Sequence, residues 1–204
     1  MRVVHKVPQR GRGGTDTEAE GRFGTLYREN LSDITAYAVR RSSSAEDAAD
    51  VVADVFLVAW RRFGEIPEGN AAKLWLYGVA RRVLSNKRRA QGRRSQLSVR
   101  LAEELQVYEP ALFSASSDLP AGFGEAFARL SERYREVLGL SVWEELDTVS
   151  IAKVLSCSPN AARILVHRAR RQLRTELTRL GIVKDPDKSG HEPDVRIIQT
   201  KEGR

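Results

Sequence analysis

The sequence holds one cysteine, Cys157, and only three histidines, His5, His167 and His191, in 204 residues. A lone cysteine excludes an intramolecular disulfide, and so few scattered ligands give a structural zinc centre little to assemble from. No apolar run approaches the roughly 18 residues needed to cross a bilayer. The N-terminal stretch MRVVHKVPQRGRGG is basic but has no continuous apolar segment of the kind a secretory signal requires, so the expected compartment is the cytoplasm, without membrane insertion. Also missing are a phosphate-cradling glycine loop and any Ser/His/Asp or Cys/His arrangement outside one basic segment. An enzyme is therefore the least favoured class, and no cofactor or metal is expected. Strand-like alternation and internal repeats are absent too, which leaves an all-α chain.

What is abundant is positive charge, in clusters. The net charge is +7, and Arg81 to Arg94 carries seven Lys or Arg with no acid. Arg163 to Arg174 carries five arginines and His167, again without a carboxylate. Ala45 to Glu68 reverses the balance, with six acids against Arg61 and Arg62. Clustered charge is a statement about partners. Two basic patches and one acidic face point to nucleic acid and a protein partner.

Periodicity divides the chain. Residues 1–18 are rich in Gly, Arg and Thr without a repeat, and are expected to form a disordered basic arm. Phe23, Leu26, Tyr27, Leu31, Ile34, Tyr37 and Ala38 then recur on one helical face. Ser44 and Asp47 form a capping-box pattern ahead of a second helix, whose core face is Val51, Val52, Val55, Phe56, Ala59 and Trp60. After the break GEIPEGN, a third helix is expected from the cap Asn70 to about Arg89. Residues 95–119 read as a linker between a first domain, 19–94, and a second, 120–180. In the second, Phe123, Phe127 and Leu130 share a face, and Ser131 can cap the next helix. Residues 181–204 are expected to be a flexible tail.

The second domain contains the most informative pattern, ELDTVSIAKVLSCSPNAARILVHRARRQLR. Asp147 can cap a short helix with Ile151 and Leu155 inward and the small Ala152 open to a close neighbour. Ser156 and Cys157 make a tight turn. Ser158 is an N-cap, and Pro159 stands at the first helical position, where proline is favoured. Ala162, Val166, Ala169 and Leu173 then form a buried seam beside a stripe of Arg163, His167, Arg170 and Arg174. This is a helix-turn-helix pattern with a second helix suited to the major groove. A bundle with a solvated basic face has the same outline, but Glu to Lys pairs four apart would be expected there, and none lies between Arg163 and Arg174.

Together with DVVADVFLVAWRRF and KLWLYGVARRVLSNKRR, this pattern resembles the bacterial extracytoplasmic-function (ECF) sigma factors, two-domain initiation subunits of RNA polymerase. The resemblance covers about residues 20–94 and 120–178. It implies that the Asp50 to Trp60 helix docks on core RNA polymerase through Asp50, Asp54 and Leu57. It implies further that the Gly64 to Asn70 loop and the third helix, through Trp75, Arg81, Arg82, Asn86 and Lys87, read and open the minus-ten element of promoter DNA. Melted strands offer phosphates to arginine and lysine, and unstacked bases to aromatic rings and amides. At minus thirty-five it implies base-facing Ser158, Asn160, Arg163, His167 and Arg168, with Arg171 and Arg174 on phosphates. An anti-sigma factor is a further partner the resemblance allows. The sequence departs from the family pattern at Ala53, where Gln is common, at Arg82, where Asn is frequent, and at Leu165, which is often basic.

Length provides an independent check. Fully extended, residues 95–119 reach roughly 80 Å at about 3.3 Å each. Some twenty base pairs at a rise of about 3.4 Å separate two such promoter elements by roughly 65–70 Å. The competing class is a helix-turn-helix regulator that acts without polymerase, which would need an effector cavity or a dimer face.

Overall fold

The apolar stripe of the first helical segment governs where the chain buries it. In the computed structural model, which describes residues 15–98 and 120–183, that stripe lies on α1, Thr15–Val39. The helix starts inside the stretch expected to be a disordered arm, of which residues 1–14 lie outside the described residues. Ile34, Tyr37 and Ala38 are fully buried, and Tyr27, 37% exposed, keeps its ring 4.5 Å from that of Phe56.

Helix α2, Ala45–Arg61, begins where Ser44 Oγ accepts from the Asp47 amide at 3.0 Å. The capping box is half formed, because the Asp47 carboxylate accepts from the Ser43 hydroxyl. Ala48, Val51, Val55, Phe56 and Ala59 are buried. Trp60, expected on this core face, is 46% exposed, and its ring stands edge-on to Phe23 at 4.9 Å. A 3-10 turn, Phe63–Glu65, leads to α3, Asn70–Ser98. Asn70 is its first helical residue, and the helix runs four residues into the expected linker, since nothing from Asn70 to Ser98 is a proline that would stop it.

The second domain is α4, Phe123–Ala128; α5, Glu132–Val142; α6, Thr148–Leu155; and α7, Pro159–Arg179. Three of its helices have local, side-chain caps: Ser131 for α5, Asp147 for α6 and Ser158 for α7 each accept from the amide three residues on. At its far end α7 closes with Gly181 at φ 71, whose amide bonds Thr178 O while Ile182 bonds Leu177 O. That pair satisfies carbonyls the helix leaves open, and a left-handed residue there is what glycine supplies. Of the described tail residues, 181–183 complete this cap.

The two domains pack on each other. Helix α3 lies against α6, so close that a Cβ on Gly78 would be 3.7 Å from the carbonyl oxygen of Val154. The C-terminal end of α1 meets α5 through buried charge. Arg41 donates from Nε to Glu136 Oε2 at 3.0 Å and from Nη1 to Glu144 Oε1 at 2.9 Å. Tyr37 donates its hydroxyl to Glu136 Oε1 at 2.6 Å, Arg40 pairs with the other oxygen of Glu144, and Arg88 pairs with Glu132. Burial, and then the carboxylate of Glu136, hold the Tyr37 phenol well above its ordinary range. Burial works against the charge of Glu136 as well, but Arg41 and the Tyr37 hydrogen bond outweigh it and hold the carboxyl below the usual range.

Candidate nucleic-acid interface

Capping sets the register of α7, and register decides what faces out. With Ser158 as N-cap and Pro159 in the first turn, Ala162, Val166 and Ala169 fall inward and are buried. Asn160, Arg163, His167, Arg168, Arg171 and Arg174 are then exposed, as is Ser158 itself. Arg163 Nη2 donates to Asn160 Oδ1 at 2.8 Å, which ties two of these side chains together at the start of the helix. Arg170 belongs elsewhere, since it donates to Ser141 Oγ on α5 at 3.3 Å. Leu165, the departure from the basic family pattern, is buried at 7% exposure and fills the domain core. The one acid of α7, Glu176 near its C-terminal end, is buried and accepts from Gln172. The outward face from Asn160 to Arg174 is therefore cationic and free of carboxylates.

The turn before α7 is tight because Ser156 takes a left-handed conformation, φ 53. Its amide bonds Lys153 O, and that of Cys157 bonds Ala152 O at 2.9 Å, so α6 ends and α7 begins within a few residues. Short helix, tight turn and exposed basic helix together are the geometry that places a helix in the major groove.

On α3 the expected residues divide. Arg81, Arg82 and Asn86 line one cleft of about 580 Å³ between the domains. Arg88 and Arg89 line it too, and the acid-free run to which they belong is the sequence signal for them. Lys87 turns the other way, with Nζ 3.2 Å from Asp50 and 3.9 Å from Asp54 on α2. Trp75 is half-buried below Arg62, whose guanidinium carbon lies 5.8 Å from the ring centroid. Arg62 also forks onto Glu65, and this hydrogen bonding holds the Glu65 carboxyl below its ordinary range, bracing the loop ahead of α3.

Asp50, Asp54 and Leu57 are all exposed and, at spacings of four and three, share one stripe of α2. An apolar Leu57 at 46% exposure, one turn on from Asp54, suits a protein surface more than water.

Comparison with known proteins follows the same division. The model of Sigma-70 region 2 matches residues 26–94, and that of Sigma-70, region 4 matches residues 122–173. The chain is 29% identical over 161 residues to the ECF RNA polymerase sigma factor SigL of Mycobacterium tuberculosis, covering 78% of this chain and 90% of that protein. It is 28% identical over 158 residues to the RNA polymerase sigma-H factor of Pseudomonas aeruginosa, covering 72% and 82%. Among solved structures it resembles the sigma factor RpoE in complex with the anti-sigma factor NepR from Bartonella quintana. There the TM-score is 0.60 at 28% identity, with 76% of this chain and 96% of that one covered.

Proposed function

This chain belongs to the sigma-70 family, as a sigma factor of the extracytoplasmic-function type, and from that premise we propose how its own surfaces serve transcription initiation. It binds core RNA polymerase, directs it to promoters and helps to melt the minus-ten element. The observation that carries this is the acid-free outward face of α7 behind a tight helix-turn-helix turn, on the same chain as the exposed acidic stripe of α2.

The roles follow from position. Ser158, Asn160, Arg163, His167 and Arg168 lie in the first half of α7, where side chains reach base edges, and Arg171 and Arg174 lie farther along, toward the backbone. Arg81, Arg82 and Asn86 take separated minus-ten strands on α3, with Trp75 beneath the preceding loop as a stacking surface and Lys87 supplying charge from the α2 side. Asp50, Asp54 and Leu57 meet a basic, partly apolar polymerase surface. An anti-sigma factor is a fitting further partner, as in the RpoE complex with NepR. The chain works by binding rather than by catalysis. No helix among the described residues is long and apolar enough to cross a membrane, and the place of action is the cytoplasm, beside polymerase and DNA.

The test is co-purification of the full chain with core polymerase, followed by run-off transcription. The wild-type chain should co-purify and start transcripts at defined sites. Asp54→Lys should lower holoenzyme yield, because an exposed acid facing a basic partner contributes steering and complementarity. Failure of the wild-type chain to bind core enzyme would refute the reading.

A further inference from the structure

We infer that Ile164 is a further specificity residue of α7, reading the methyl group of one thymine in the minus-thirty-five element. The inference deepens the promoter-reading function proposed above and rests on it. Helical register gives Ile164 its place. At about 3.6 residues per turn, it stands about 200° round the helix from Ala162 and as far, in the other sense, from Val166, both of which are buried. It therefore points straight away from the domain core, at the centre of the outward face, and is 44% exposed. Its neighbours on that face are Asn160 one turn before, His167 and Arg168 one turn after, and Arg171 a further turn on, all of them exposed.

Residue type decides what this position can take. The face is otherwise made of guanidinium, imidazole and amide groups, each able to bond a phosphate or a base edge. Isoleucine can do neither. Nor does the fold call for it there: Leu165 and Val166 fill the core beneath, and a branched side chain is a poorer helix former than alanine or arginine. A protein partner that covered Ile164 would also have to desolvate the arginines and histidine around it, a cost that only matched carboxylates would offset. DNA imposes no such cost. Phosphates and guanine take the guanidinium groups, while the major groove presents one apolar group of its own, the C5 methyl of thymine. The first turns of a recognition helix are the part that meets base edges, and Ile164 lies in the second turn after the Ser158 cap. Arg163, beside it, is drawn towards Asn160 by the bond at 2.8 Å, which orients the polar neighbour and leaves the apolar one to the groove.

The test uses the full chain assembled with core polymerase, on a promoter it selects from a library with a randomised minus-thirty-five element. Each thymine of the selected element, on either strand, is replaced in turn by deoxyuridine, which removes the methyl group and leaves base pairing and phosphates as they were. In the wild-type holoenzyme one replacement should weaken binding about fourfold, the effect of burying one methyl group. Ile164→Ala should bring that thymine-to-deoxyuridine ratio to about one, and Ile164→Val should lie between. Because the ratio is taken within each variant, a general loss of affinity or stability cancels. A selected element without thymine, no deoxyuridine effect at any position in the wild type, or an effect that survives in Ile164→Ala would each overturn the inference and leave promoter reading by α7 in place. If the wild-type holoenzyme selected no minus-thirty-five sequence at all, promoter reading itself would fail, and the inference with it.

Discussion

Arg163 and Arg174 stand about three helical turns apart on α7, and they are expected to do different work. Arg163, oriented by Asn160 near the helix start, is placed to fork onto a base edge, whereas Arg174 is placed to meet backbone. A bidentate arginine contributes roughly 1 to 3 kcal/mol of discrimination, while a phosphate contact steepens the salt dependence by about 0.9. Arg163→Ala should relax preference at one minus-thirty-five position, and Arg174→Ala should weaken all promoters alike and flatten the salt slope. Binding to single-base promoter variants at several salt concentrations separates the two. A uniform loss in Arg163→Ala would make it another phosphate contact. Leu165 gives the complementary case. As a core residue its change to Ala should cost about 2–5 kcal/mol of stability in denaturant titration and leave base preference unaltered.

Among the elements, the Gly64 to Asn70 loop is expected to set minus-ten preference. Grafting the loop of a relative with another promoter sequence should shift preference at one or two bases in a promoter library. No shift at any position would detach the loop from base reading. What was legible at this scale tracks how local the determinant is. The limits of α6 and α7 could be read closely because Asp147, Ser158 and Pro159 act within a turn of themselves. The end of α3 could not, as neither cap nor proline marks it, and the outward turn of Trp60 depends on Phe23 in another helix. The contacts between α1 and α5 join residues 95 to 104 apart in sequence, beyond any periodicity. One clue was nonetheless present: Arg41 extends the buried Tyr37 position by one helical turn, and Glu144 does the same for Leu140. Likewise, the outward residues of α7 could be read from spacing, while the split of Lys87 from Arg81, Arg82 and Asn86 needed the position of α2.

For the whole molecule, acid should act through Glu136, which faces Tyr37 of α1, Arg41 just beyond that helix and Arg81 of α3. Its carboxyl is held below the ordinary range where the two domains pack, and returns towards about 4.3 when the chain unfolds. The unfolded chain therefore binds more protons in that window, so the stabilisation is present at neutral pH and is lost as pH falls through the depressed value. Resistance to urea unfolding should fall at that acidic step in the wild-type chain, and the step should be smaller in Glu136→Gln. An unchanged profile in the variant would assign the transition to another group. A last consequence comes from Lys87, set between Asp50 and Asp54. The chain carries its own tethered counter-ion on the surface we propose for polymerase. When a basic surface takes over the two acids, no ion needs to leave for the bulk. On that proposal the displaced ammonium would stay on α3, available to a phosphate, and the exchange would hand charge from the protein contact to the nucleic-acid contact.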